Sequence, residues 1–365
     1  MTAWRKPKLP AIKPSGVRYA FRVMVAGLLA YGFALALSLP QGYWAVITAI
    51  VVMQSTVGGS LKAALDRLTG TAMGAAVGFC VAVLHLSGYA AGIALAAVLG
   101  PLAYAASANP RFRVAPMTAA IMLIGTGGPV TLNPVAAAID RVLEIALGGV
   151  IGVLVALFIA PARAEQALTT QLAELLRLFS KVLAIDSKAI CGNDDRSTRQ
   201  KINDEIRQRI AAADNFEDEA RRESSAHLTD ETQAGPLFRT TRRLRTNLLL
   251  IGRAVSEPWP DHAREALAPA IEPLFDRLSA RLLTLADAMQ KRRSVSFDEA
   301  LDTTLDAFDV AVQRFRANPA SDGMAADDLS RIFTLAFAID QFRRDTRDLT
   351  DRLNERAGSA PAPQD

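Results

Sequence analysis

Asp66-Arg67-Leu68-Thr69-Gly70-Thr71-Ala72-Met73-Gly74-Ala75-Ala76-Val77-Gly78 returns 74 residues later as Asp140-Arg141-Val142-Leu143-Glu144-Ile145-Ala146-Leu147-Gly148-Gly149-Val150-Ile151-Gly152. Ala63, Ala64, Ala72 and Ala82 also match Ala137, Ala138, Ala146 and Ala156, giving eight identities over positions 63–82. The Asp-Arg pair and the Gly-x-x-x-Gly spacing carry the match, because Ala-rich helices match one another by chance. Glycines four apart share one helix face and let two backbones approach closely, which is how helices associate in lipid. Two unrelated helices with the same packing chemistry are the other account of the repeat.

Outward from this stretch the composition divides sharply. The chain has 365 residues, 41 Lys and Arg, 37 Asp and Glu, and a net charge of +4. Residues 1–160 hold only 11 of those bases and three of the acids (Asp66, Asp140, Glu144), a net +8; the remainder is densely charged and net −4. The pattern predicts an all-α chain: a basic cytoplasmic tail over 1–22, a transmembrane domain over 23–160, a helical cytoplasmic domain over 161–356 and a disordered tail over 357–365. So mild a net charge gives no footprint for nucleic acid. Cys80 and Cys191 lie far apart and His85, His227 and His262 are scattered, so neither a disulfide scaffold nor a metal site is expected. No P-loop, dinucleotide fingerprint or nucleophile elbow is present, so neither a cofactor nor an enzymatic activity is expected.

A bilayer core takes about 20 apolar residues per helix. Six spans are predicted: Val23–Leu39, Tyr43–Val57, Leu68–Leu86, Tyr89–Ala106, Val114–Ile124 and Val142–Ala160, the second and fifth being short. Ten of the 11 bases fall in the N-terminal tail and the loops at 58–67 and 107–113, on one side of this layout, and only Arg141 falls opposite. The positive-inside rule then puts the N-terminus and the C-terminal domain in the cytoplasm. Three helices is an odd number, so the two repeats are expected to be inverted, an arrangement that transporters use.

The second and fifth spans break early and in corresponding places. One ends in Gln54-Ser55-Thr56-Val57-Gly58-Gly59-Ser60, the other in Gly125-Thr126-Gly127-Gly128-Pro129. Irregular backbone at membrane depth needs protein or a water-filled cavity around it, and paired interruptions point to a substrate site. The substrate path is therefore assigned to Gln54, Ser55, Thr56, Gly58, Gly59, Gly125, Thr126, Gly127 and Gly128, with ordinary surface loops as the other reading. Asp66-Arg67 and Asp140-Arg141 are expected where helices begin. There an Asp favours the helix dipole and an Arg reaches the lipid interface. Alternatively they line the path, with Arg141 meeting an anionic substrate and Asp140 or Glu144 carrying a coupling proton. His85 is expected at the membrane interface.

In the second half, Leu168, Leu172, Leu175, Leu176 and Phe179 form a helical stripe. Leu237–Val255 is an amphipathic helix with Arg239, Arg242, Arg243 and Arg245, expected to be a solvated face with intrahelical partners. Attraction to anionic lipid or substrate is the alternative.

Gly42-Tyr43-Trp44-Ala45-Val46-Ile47-Thr48-Ala49, Ser60-Leu61 and Asp66-Arg67-Leu68-Thr69-Gly70-Thr71-Ala72-Met73-Gly74 resemble the fusaric-acid-resistance-like, or aromatic acid exporter, family. The second Asp140-Arg141, with Gly148-Gly149 and Pro161-Ala162-Arg163, fits the same pattern, so the resemblance covers about residues 15–165. Arg67-x-x-Gly70-Thr71 is its most specific element. The resemblance implies an inner-membrane efflux protein for aromatic carboxylic acids, acting as a proton-driven secondary exporter of small organic anions. It implies membrane lipid and a periplasmic adaptor as partners. It also implies a homodimer, since longer members carry two membrane blocks and this chain one. A passive anion channel, as in the related plant malate channels, and a non-transporting scaffold are the competing expectations.

Overall fold

A computed structural model describes residues 14–84, 86–125, 134–190, 195–226, 234–257, 259–317 and 324–358. The fold is all-α, with no strand among the described residues. The chain divides into two units at Ala164/Glu165. The first holds α1 (Pro14–Ala36), α2 (Tyr43–Val52), α3 (Val57–Ala82), α4 (Gly88–Ala108), a 3-10 turn at Pro110–Phe112, α5 (Ala115–Gly125) and α6 (Pro134–Phe158). The second holds α7 (Ala164–Ile190), α8 (Arg196–Ser225), α9 (Ala234–Ala254), α10 (Asp261–Lys291), α11 (Glu299–Arg316) and α12 (Ala326–Gly358).

The first unit is long–short–long, twice. At a rise of about 1.5 Å per residue, α2 and α5 are roughly 15 Å long, half a bilayer core. Among the described residues, the helices long and apolar enough to cross a membrane are Gly16–Ala36, Gly88–Ala108 and Val135–Phe158, three of the six predicted spans. The helix α3 has the length but carries Lys62, Asp66 and Arg67 in its first half.

Several predicted boundaries move. The helix α1 starts inside the expected tail and stops at Ala36, where Ser38 turns the chain in a left-handed conformation (φ 50°) ahead of Pro40. The start of α3 is Val57, not Leu68, because Thr56 caps it: its hydroxyl accepts the Gly59 N–H at 3.1 Å. The start of α6 is Pro134, not Val142; proline suits a first helical turn, where its missing N–H leaves no bond unmade. Asp66-Arg67 and Asp140-Arg141 therefore lie well inside helices rather than at their beginnings.

The glycines of the repeat dictate the packing, and they dictate it crosswise. On α6, a methyl group at Gly148 would collide with the Ala45 carbonyl of α2 and meet the Thr48 Cβ at 2.7 Å; at Gly152 it would meet the Ala49 carbonyl at 3.2 Å. On α3, a methyl at Gly74 would collide with the Ala115 carbonyl of α5 and meet the Thr118 Cβ at 2.8 Å; at Gly78 it would meet the Met122 Cβ at 2.8 Å. Ala45, Thr48 and Ala49 recur as Ala115, Thr118 and Ala119, 70 positions on. Each short helix thus packs on the long helix of the other repeat. The order of contacts makes α2 parallel to α6 and α5 parallel to α3. Because α2 reverses into α3 through residues 53–56, α3 and α6 run antiparallel.

In the second unit one apolar core runs through Leu172, Phe179, Leu237, Leu244, Phe275, Leu282, Phe308 and Phe342, all at most 1% exposed. Two of the α9 arginines, Arg242 and Arg243, find carboxylate partners on other helices beside their contacts within α9. Arg243 donates to Asp345 at 2.8 Å and to Asp348, both on α12, and Arg242 reaches Asp214 on α8. Asn247 donates to Asp345 at 2.8 Å and Thr240 to Asp348 at 2.7 Å. Burial pushes the Asp345 carboxyl up, against Arg243 and Asn247. At Asp348 burial pushes upward too, but Thr240, Arg352 and Arg243 outweigh it and hold the carboxyl below its usual range.

Two outcomes follow from this packing. Gly148→Val drives a branched side chain into the α2 backbone and is expected to cost about 3 kcal/mol or more. Gly92→Ala, with nothing within 4 Å, is expected to leave folding intact. The yield of monodisperse detergent-solubilised protein separates them. In the second unit, the depressed Asp348 carboxyl contributes stability above the unfolded-state value near 3.9, and loses it as pH falls through the folded value. Asp348→Asn should therefore lower the melting temperature at pH 7, by an amount worth about 1–2 kcal/mol, and much less at pH 3.

Candidate functional site

Cross-packing carries the N-terminal half of α2 onto the two Asp-Arg helices. The Arg67 Nε donates to the Thr48 hydroxyl at 2.9 Å. The Arg141 guanidinium lies flat over the Trp44 ring, 3.7 Å from its centroid. One turn on from Arg141, the Glu144 Oε1 accepts the Gln41 backbone N–H at 2.7 Å. Arg67, Arg141, Glu144 and Thr48 are 7%, 4%, 1% and 1% exposed. Arg67 and Arg141 are close enough to repel one another.

Two buried guanidinium groups, Arg67 and Arg141, and one buried carboxylate, Glu144 beside Arg141, lie here, so the buried groups sum to a net positive charge, with the half-buried Asp140 one turn before Glu144. Taking a charge out of water costs several kcal/mol unless it is paired and fully hydrogen-bonded. Neither arginine is. Arg67 Nη2 and Arg141 Nη1 are buried without a hydrogen-bond partner, and so are Trp44 Nε1 and the Thr71 hydroxyl. Thr71 lies one turn after Arg67 on the same face of α3, toward the Trp44 end of α2. Buried donors are normally satisfied. Several unmade donors around an uncompensated positive charge are what an anion with oxygen acceptors would complete.

Of the predicted ionisable residues, Arg67, Arg141 and Glu144 come together here. Asp66 does not: it faces Arg111 at 3.7 Å, and both are partly exposed. Asp140 is half-buried, one turn before Glu144. The predicted path segment at 54–59 proves irregular only as far as Thr56. Gln54 and Ser55 are exposed, while Val57, Gly58, Gly59 and Ser60 form the buried first turn of α3. There the Ser60 hydroxyl accepts the Gln54 N–H at 2.9 Å. Gly125 is the last residue of α5; Thr126, Gly127, Gly128 and His85 lie outside the described residues.

The pattern reading passed over Trp44, Thr48 and Thr71. Trp44 and Thr48 sit one turn apart on one face of α2 beside Ala45 and Ala49, a face whose small residues mark close packing.

The cluster lies in a unit that has, among the described residues, three apolar helices of membrane length. The chain belongs to the fusaric acid resistance protein family, whose model matches residues 16–364, well beyond the limit near 165 set by the motifs. It is similar to "Uncharacterized transporter YdhK" of Salmonella typhimurium strain LT2, 42% identical over 65 residues, which are 18% of this chain and 10% of that protein. It is also similar to the protein of the same name in Escherichia coli K12, 36% identical over 90 residues, 24% of this chain and 13% of that one. The matched stretches span only 10–13% of the length of these relatives.

Trp44→Leu removes the ring under Arg141 and a cation–π contact worth about 2 kcal/mol in a desolvated site. It is expected to lower the melting temperature of the full chain, whereas Trp44→Phe, which keeps an aromatic face, restores most of it.

Proposed function

We propose that this chain is an inner-membrane transporter that carries organic anions, aromatic carboxylates among them, out of the cell. One observation carries the reading: Arg67 and Arg141 are buried near one another, one buried carboxylate, Glu144, stands beside Arg141, and both arginines leave N–H donors unmade. Family membership and the word "transporter" in the relatives' names support it. So do the open apolar faces of the long helices, where Leu28, Leu35, Ile93 and Phe158 are 62–74% exposed, as side chains bathed in lipid are. The antiparallel α3 and α6, equivalent members of the two repeats, support an inverted-repeat architecture around a central site. In that architecture α2 and α5 are half-length elements and α3 is a fourth long span. The N-terminus and the second unit face the cytoplasm, in keeping with the distribution of lysine and arginine. A substrate carboxylate would take the free donors of Arg67 and Arg141, and its ring would lie near Trp44.

The position of Glu144 bears on the driving force. Protonating it removes the negative charge beside Arg141 and so strengthens anion binding; proton and anion then bind together. Proton-driven antiport needs the two to compete. An anion in an inside-negative cell is already driven outward, by about 2.3 kcal/mol per charge per 100 mV. This observation favours potential-driven flux, the channel-like alternative, over proton exchange at Glu144.

Purified full-length protein in proteoliposomes loaded with benzoate tests both points. Efflux is expected to follow an imposed potassium–valinomycin potential and to persist without a pH gradient. Arg67→Gln and Arg141→Gln should each reduce it about tenfold or more, while Arg113→Gln should not. Unchanged flux in both variants would remove the anion-site reading. Flux that requires a pH gradient would restore proton coupling.

A further inference from the structure

Glu144 is a carboxylate at 1% exposure, and what it holds is the approach to another helix. Its Oε1 accepts the Gln41 backbone N–H, 103 positions away in sequence, at 2.7 Å. The Gln41 carbonyl in turn accepts the Trp44 N–H at 2.9 Å. The Trp44 ring lies under the Arg141 guanidinium, 3.7 Å away. Arg141 stands one turn before Glu144 on α6. These contacts close a ring from α6 through carboxylate, backbone, indole and guanidinium back to α6.

A helix start is commonly stabilised by a capping side chain or by an acid in its first turn. The start of α2 has neither: Gly42, at the N-cap, has no side chain to bond, and the first turn holds no acidic residue. Glu144 supplies both from α6. It accepts a backbone N–H just ahead of the helix, as the glutamate of a capping box does, and it sets a negative charge at the positive end of the α2 dipole. The contacts at Gly148 and Gly152 bring the body of α2 close to α6. Glu144 acts ahead of them, on the first turn, where helices fray and where Trp44 sits.

The charged groups that bear on Glu144 are Arg141 and Asp140, both of its own helix. Compensating Arg141 asks only for charge. Holding Gln41 asks for an acceptor oxygen and for reach. The two roles come apart when charge and reach are removed separately.

Resting on the reading of Arg67 and Arg141 as an anion site, we propose that Glu144 is a positioning residue: by holding the start of α2 it keeps the Trp44 ring against Arg141, and so sets the preference of the site for aromatic over aliphatic carboxylates. The held indole is a flat apolar wall beside a guanidinium that takes the carboxylate. An aromatic substrate gains from packing on that wall in a way an alkyl chain does not match. An indole that moves with a frayed first turn offers no such wall.

The test is efflux of benzoate and of butyrate from proteoliposomes under an imposed potential, read as the ratio of their half-saturating concentrations, with melting temperature measured on the same preparations. Both are monoanions, so a change of charge beside Arg141 moves them together and the ratio reports the ring. Glu144→Gln loses the charge but keeps an acceptor oxygen at the same reach; it is expected to lower both half-saturating concentrations and to keep the ratio within about twofold of the parent. Glu144→Asp keeps the charge but is one methylene too short for Gln41; it is expected to shrink the preference for benzoate about fivefold. In Trp44→Leu that preference is already lost, and adding Glu144→Asp should change the ratio by no more than about twofold, since the two residues act as one unit. A parent without preference for benzoate overturns the proposal. So does a ratio unmoved in Glu144→Asp, whatever its melting temperature, or an undiminished further loss in the double variant. If Glu144→Asp yields no folded protein, Glu144→Gln decides alone: a ratio that collapses when only the charge goes overturns the proposal, and one that holds supports it. If Arg67→Gln and Arg141→Gln cut flux and Glu144→Asp keeps the ratio, only the positioning role fails. If both arginine variants leave flux intact, the anion-site reading fails with it.

Discussion

The contact of α6 Gly148 with the backbone of α2, and its counterpart between α3 Gly74 and α5, is the constraint on which the first unit depends. Van der Waals packing, not a hydrophobic force, joins helices surrounded by lipid, so backbone proximity is the main attraction on offer. Glycine on the long helix and alanine on the short one make that proximity available. Since each short helix sits on the long helix of the other repeat, neither repeat can complete itself. The consequence reaches the chemistry directly. Only with α2 seated on α6 does Trp44 lie under Arg141, and only with α2 also beside α3 does Thr48 meet Arg67.

The repeats share this packing but not its polar contents. Where α6 has Glu144, bound by the Gln41 N–H, the equivalent position on α3 is Gly70, packed against the Arg111 carbonyl. Where α2 has Trp44, the residue just before α5 is Val114. At these two positions the second Asp-Arg helix therefore meets an aromatic ring and carries a carboxylate, and the first does neither. Arg67 turns to Thr48, a neutral hydroxyl, instead. The scaffold is two-fold in its glycines and one-sided in its charges, which is how a symmetric frame comes to hold a single net-positive cluster.

How much of this was legible in the sequence follows from the range of each signal. The Asp-Arg and Gly-x-x-x-Gly matches are local, and they mark α3 and α6 and the Asp-Arg pair that each carries. Helix starts were missed because hydropathy reads Lys62, Asp66 and Arg67 as a loop, whereas an amphipathic α3 can carry them on a face turned to protein or to open space. The start of α6 at Pro134 was missed because the apolar run was taken from Val142, although proline's ring geometry suits a first helical turn. The packing of α2 on α6 joins residues about a hundred positions apart, and no periodicity within either helix announces it. Arg22, 1% exposed, was counted with the basic tail because its neighbours in sequence are basic; the buried Ala26, Ala30 and Ala34 that follow it at i+4 steps were the signal that it points inward.

The two units treat arginine in opposite ways, and the contrast bears on function. In the second unit Arg281 is 6% exposed, yet donates to the Ser296 carbonyl at 2.9 Å and to the Thr350 hydroxyl at 2.9 Å. Arg356, 5% exposed, reaches Glu165 at 3.1 Å. Burial still pulls both below the usual arginine range, but each has an oxygen to justify its place. Among the described residues of the first unit, Arg141 has a ring face, Arg67 one neutral hydroxyl, and Arg22 no hydrogen-bond partner at Nε or Nη2. A bundle selected for stability alone would gain from Leu or Met at such positions. On the function proposed above, an arriving organic anion would supply at Arg67 and Arg141 the negative charge and the acceptor oxygens that their neighbours in the first unit do not.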